Sequence, residues 1–152
     1  MTAFVTGGAG FLLAVLWFDL MFDVQVIHHR ERDRELPEEV LASIAGYNRR
    51  VTTGARPMNR LVAFVMSATT IAIGVQLARE DLPAWAGLAS LVLVGSAVLL
   101  AAAVTVPRAV RLGARDDGAE VQSRLARSIF RDHVLCAAAI ATLLAIQLSF
   151  AA

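Results

Sequence analysis

Long apolar runs alternate with short charged stretches along this chain, and the lengths of those runs predict a helical membrane protein. The apolar runs lie near residues 3–27, 60–78, 84–106 and 130–151. At about 1.5 Å of rise per residue, each is long enough for a hydrocarbon layer of about 30 Å. The first run lacks a basic leader and continues past any cleavage point, so it is read as a retained helix and not as a signal peptide. Between the first two runs, Pro37 suits a first helical position and Glu38 and Glu39 suit the first turn. Leu36, Val40, Ile44, Tyr47 and Val51 then recur at helical spacing, which predicts a short amphipathic helix along the membrane surface or against the bundle.

Two further connections complete the architecture. The hairpin Arg79 to Pro83 is short, which makes the second and third helices antiparallel neighbours. After Pro107, Asp116, Asp117 and Gly118 offer a helix start, and Val121, Leu125 and Ile129 carry the apolar spacing into the last run. The fourth helix is therefore expected to begin near Ala119 and to overhang the membrane. The predicted fold is all-α, one domain over 1–152, with four transmembrane helices and a cytoplasmic amphipathic helix between the first and second.

Composition agrees, because 57% apolar and 18% charged residues do not describe an ordinary soluble domain. The formal charge of +1 gives no reason to expect nucleic acid, and the single Cys136 excludes an intrachain disulfide framework. Charge placement adds an orientation. Seven arginines fall in loop 28–60 (Arg30, Arg32, Arg34, Arg49, Arg50, Arg56, Arg60) and six in loop 107–131 (Arg108, Arg111, Arg115, Arg124, Arg127, Arg131), against Arg79 alone in the remaining loop. By the positive-inside rule both loops face the cytoplasm and both termini lie outside it, as in a multi-pass protein of a bacterial inner membrane.

The candidate chemistry sits where polar residues interrupt the first run. Asp19 and Asp23 are four residues apart, so they share a helix face, offset by about 40°. Gly8, Leu12 and Leu16 precede them on that face, which is expected to look into the bundle. Intramembrane carboxylates are costly and by default mark function, or else pair with a neighbour such as Asn59, Arg60 or Arg131. His28 and His29 end the same run. His133 opens the last one at a similar depth to Asp23, three residues before Cys136. Asp19, Asp23 and His133 are thus the expected catalytic set, and with His28 and His29 they are the expected metal ligands. The small-residue stripes Asn59, Ala63, Met66, Thr70, Gly74 and Gly87, Leu91, Gly95, Ala102, Thr105 read as helix packing.

The aromatic and histidine-bearing end of the first helix (Trp17 to His29), the amphipathic connection and Arg131-Asp132-His133 resemble small four-helix bacterial membrane proteins of the anthrone-oxygenase-like and membrane protoporphyrinogen-oxidase type. The protoporphyrinogen oxidase carries a histidine early in its first helix, where this chain has Gly10 and Phe11. The resemblance implies a membrane-embedded oxidoreductase or oxygenase acting on a hydrophobic substrate, with a divalent transition metal or haem in the cytoplasmic half of the bundle. Two other readings stay open. One is a small proton- or ion-coupled transporter or channel subunit that relays a cation through Asp19 and Asp23; the other is a structural partner of a membrane complex. The partners expected are the lipid bilayer, a hydrophobic small molecule or ion, and a second copy of the chain.

Overall fold

A computed structural model describes residues 1–29 and 35–150. The described residues form five helices: α1 (Thr2–His28, its last turn tightened from Val24 on), α2 (Glu38–Arg49, extended by a wide turn Arg50–Gly54), α3 (Arg56–Ala78), α4 (Ala84–Ala114) and α5 (Ala119–Ser149). All but α2 are long and apolar enough to cross a membrane. The four run alternately up and down, each packed on its neighbours in the ring α1, α3, α4, α5. The chain is therefore a small multi-pass membrane protein. Three of the arginines behind the expected orientation, Arg30, Arg32 and Arg34, lie outside the described residues.

The third span is longer than the expected 84–106. It continues through Pro107 to Ala114, so the loop expected from 107 to 131 is only the turn 115–118. A proline inside a helix lacks an N–H and crowds the carbonyl four residues earlier. The helix accommodates it by widening over Ala101–Thr105, where the Val106 N–H donates to the Ala101 carbonyl and the Thr105 hydroxyl donates to the Leu100 carbonyl. The buried stripes are turned in part from the expected ones. In α3 the inward face is Thr69, Ala72, Ile73 and Gln76; in α4 Gly87 and Thr105 of the expected stripe are buried, but Leu91 is only partly buried and Ala102 is exposed, while Ser90, Val94 and Ala97 are buried. Spacing alone fixes a helix face only to within a residue, since small residues serve on either side of a contact.

Two cores follow, held by different forces. Val5, Ala9, Leu12, Ile73, Val94, Cys136, Ile140 and Leu143 fill the bundle. In lipid, where burying an apolar side chain gains little against acyl chains, close packing carries the association. Gly8 shows it: a Cβ there would lie 2.1 Å from the Thr69 hydroxyl, so only glycine lets α1 approach α3 this closely. The second core, with Leu36, Leu41, Ile44, Ala45, Leu112, Ala126 and Ile129, lies beyond the apolar runs, where α2 packs against the overhanging ends of α4 and α5. There the hydrophobic effect acts fully, at about 1.5–3 kcal/mol for each large side chain buried from water. Polar ties hold it in place. The Leu36 N–H donates to the Ser123 hydroxyl at 2.9 Å, Arg115 pairs with Glu38, and Arg111 makes two bonds of 2.8 Å to Asp117 across the turn.

Exposed aromatics mark both membrane boundaries, Trp17 and Phe18 at the arginine-rich end and Trp85 at the opposite one. At that opposite end α3 closes in a Schellman motif, with Asp81 N–H on the Gln76 carbonyl and Glu80 N–H on the Leu77 carbonyl. The residue that must be left-handed is Glu80, at φ 56°. A Cβ there costs on the order of 1 kcal/mol that glycine avoids. Glu80→Gly is accordingly expected to stabilise the protein by about that amount, read as a rise in the midpoint of thermal unfolding; a fall would show that the carboxylate has an unrecognised role.

Candidate functional site

At the arginine-rich end, three elements bring four titratable side chains into one series. α1 supplies Asp19 and Asp23 from successive turns of one face, α5 supplies His133 where its apolar run begins, and α2 lays Tyr47 across the top. His133 Nδ1 lies 2.6 Å from Asp23 Oδ2, and His133 Nε2 lies 4.0 Å from Asp19 Oδ2. The Tyr47 hydroxyl donates to Asp19 Oδ1 at 2.7 Å, and its ring stacks on Phe22 with centroids 4.0 Å apart. The order is thus Asp23, His133, Asp19, Tyr47, from a carboxylate that is 1% exposed to a phenol at the rim.

The geometry assigns proton positions. With Asp23 as carboxylate, the Nδ1 proton of His133 is donated to it, which fixes the ring and leaves Nε2 toward Asp19. A separation of 4.0 Å is too long for a direct hydrogen bond, so Nε2 is not spent on Asp19. Asp23 Oδ1 is buried with no hydrogen-bond partner among the described residues. An unpaired buried carboxylate oxygen is uncommon enough to mark the site as more than packing.

A second ion pair braces α5 beside the site. Arg108 Nη1 donates to Asp132 Oδ2 at 2.8 Å and to the Ser128 hydroxyl at 2.7 Å, tying α4 to the residue that precedes His133. Asp132 is buried, so the pair resists solvent screening better than the surface ones. The partners considered from sequence for the α1 carboxylates lie elsewhere. Asn59 donates to the Thr52 carbonyl, and Arg60 and Arg131 are exposed.

The other expected site residues separate from the series. His28 is exposed, and the His29 carbonyl accepts from Arg127. Cys136 is buried in the bundle core, with its thiol directed to the Ala97 carbonyl at 3.7 Å. Among the described residues no group of three or more His, Cys, Asp or Glu side chains is arranged to hold a metal ion. His133 Nε2 and Asp19 make two donors, fewer than the three or four protein ligands usual for a transition metal. The same 4.0 Å separation places a carboxylate across the nitrogen that a haem iron would need.

Helical spacing in the sequence places Tyr47 on the apolar face of α2, where a ring reads as packing. The available signal was its hydroxyl, since a buried tyrosine needs a partner for its polar tip. Burial first, and then the Asp19 carboxylate beside it, push the Tyr47 phenol well above its ordinary value. It is the only tyrosine in the chain, so alkaline absorbance titration reports on it alone. The folded protein is expected to show no tyrosinate at pH 10, where a free phenol is half-ionised. Because the folded value is raised, the stability involved is complete below about pH 10 and is lost as the pH climbs toward that raised value. Asp19→Asn should lower the titration only in part, since burial is the larger cause. A transition near pH 10 in the intact protein would remove Tyr47 from the site.

No protein-family model, no curated protein and no solved structure matches this chain.

Proposed function

We propose that Asp19, Asp23, His133 and Tyr47 form a proton-transfer site that acts by general acid–base chemistry on a small hydrophobic molecule entering from the bilayer. The observation that carries the reading is the imidazole of His133, held by Asp23 through Nδ1 and left with Nε2 facing Asp19 across 4.0 Å. A base must be oriented before it is useful, and a buried carboxylate on the far nitrogen is how imidazoles are oriented. Nε2 takes a proton from one position of the bound molecule, the imidazolium is balanced by the two carboxylates and gives the same proton back at another position, and the Tyr47 hydroxyl holds Asp19 in place through their hydrogen bond. A substrate reaching the site from lipid is supported by the exposed Trp17, Phe18, Met21 and Phe22 on the same turns of α1.

Transport is less well supported. A second polar layer, in which Gln76 bonds to Gln147 and Thr2 and Gln147 bonds to Ser90, lies near the opposite end. His133 and Gln147 are 14 residues apart on α5, or about 21 Å at the usual helical rise. Leu12, Ile73, Val94, Ile140 and Leu143 fill the interval, so the series ends within one end of the bundle.

Extracts of lipid-soluble small molecules from cells with the gene deleted, restored, or restored as His133→Ala or Asp23→Asn test the proposal. One lipophilic compound should accumulate in the deletion and in both variants but not in the restored strain. Variants that are expressed and behave like the restored strain would refute it. The arginines favour this end as the cytoplasmic one. A reporter enzyme fused near Arg115 should be active only on the cytoplasmic side, and activity on the other side would reverse the orientation.

A further inference from the structure

Away from the acid–base series, a groove of about 340 Å³ opens between the overhanging ends of α4 and α5, lined by Arg108, Arg111, Val121, Arg124, Leu125 and Ser128. Three guanidinium groups share one small concavity. Each has a carboxylate partner, Asp132, Asp117 and Glu120 respectively, yet none is saturated. Arg108 bonds through Nη1 alone and Arg124 through Nη1 alone, while Arg111 uses Nε and Nη2. A guanidinium carries five N–H donors, so donors remain on all three. The Arg111 and Arg124 pairs are exposed, and exposed pairs are weak enough to admit a second anion.

Position selects the anion. Arg108 stands three residues beyond the last residue of the widened turn that ends the apolar part of α4, and α5 becomes continuously apolar only from Val134. The groove therefore lies at the level of lipid headgroups, just outside the hydrocarbon layer. Val121 and Leu125 line it beside the arginines. Arginine donors next to apolar surface at this depth fit an amphiphile better than a free ion. We propose that this groove binds the phosphate of an anionic phospholipid, with the guanidinium groups of Arg108, Arg111 and Arg124 on the phosphate oxygens, the glycerol beside Leu125 and the acyl chains leaving toward the bilayer. Bidentate geometry makes arginine the suited residue for such a group. The site is independent of the acid–base reading, and its failure would leave that reading untouched.

The test is native mass spectrometry of the full chain released from detergent micelles doped with phosphatidylglycerol or with phosphatidylcholine. The protein should retain one phosphatidylglycerol and lose phosphatidylcholine. The Arg111→Gln, Arg124→Gln double variant should retain phosphatidylglycerol about ten-fold less well, each single variant showing part of the loss. Both side chains are more than half exposed, so these variants are expected to fold. The charge-matched Arg50→Gln, Arg56→Gln variant, altered at exposed positions outside the groove, should bind as the parent does. Equal retention of the two lipids, or unchanged retention in the groove variant, would overturn the proposal. So would inorganic phosphate displacing the lipid at equal concentration, which would assign the groove to a free anion.

Discussion

His133→Ala is expected to lower stability by about 3–5 kcal/mol, the largest single-residue effect on the fold outside the apolar core, because it leaves the buried Asp23 carboxylate without a partner. The cost arises from the charge left behind more than from the bond removed. Replacing both members together, as Asp23→Leu with His133→Leu, should therefore recover most of the loss. Unfolding by sodium dodecyl sulfate in mixed micelles measures both variants. The double variant should nevertheless fail to clear the lipophilic compound, which separates the contribution of the pair to folding from its contribution to chemistry. A loss below about 1 kcal/mol for His133→Ala would mean that the pair is solvated, as exposed pairs are.

Gly113→Ala should be the next most damaging change, although it adds a single methyl group. A Cβ at Gly113 would lie 2.9 Å from both Cα and N of Arg49, and backbone cannot give way as a side-chain tip can. α2 must move off α4, at a cost of about 1–3 kcal/mol as for other overpacked contacts. Tyr47 sits two residues before Arg49, so the displacement should also loosen the Tyr47 to Asp19 bond and bring the phenol back toward ordinary titration. Gly46→Ala is the control. Nothing lies within 4 Å of its added Cβ, and a helical glycine replaced by alanine in open space should gain about 0.5–1 kcal/mol. If both substitutions are silent, α2 is not held in the position that completes the site.

The sequence told much about the elements and less about their facing. Four spans and the amphipathic α2 were legible because run length and helical spacing reflect the bilayer and the 3.6-residue turn directly. The start of α5 at Ala119 was legible from Gly118 and the apolar spacing beyond it. The end of α4 was not, because Pro107 ordinarily stops a helix and the widened turn that carries it has no sequence mark. The carboxylates of α1 announced themselves by their cost in lipid. Their partners were harder to name, since the choice between Arg60, Arg131 and His133 depends on a helix rotation of tens of degrees that charge alone does not set. Tyr47 and the Arg108 to Asp132 brace belong to the same class of long-range contact.

If a buried carboxylate holds His133 in one tautomer with its second nitrogen turned to Asp19, nitrogen-15 magnetic resonance of histidine-labelled protein in lipid nanodiscs will report it. The chain has three histidines, and His133→Gln identifies the signal of interest. The prediction is a slowly exchanging Nδ1 proton shifted far downfield, as a short bond to a carboxylate produces, which disappears in Asp23→Asn and persists in Asp19→Asn. A His133 signal that exchanges freely with water and ignores Asp23→Asn would show an imidazole that Asp23 does not hold.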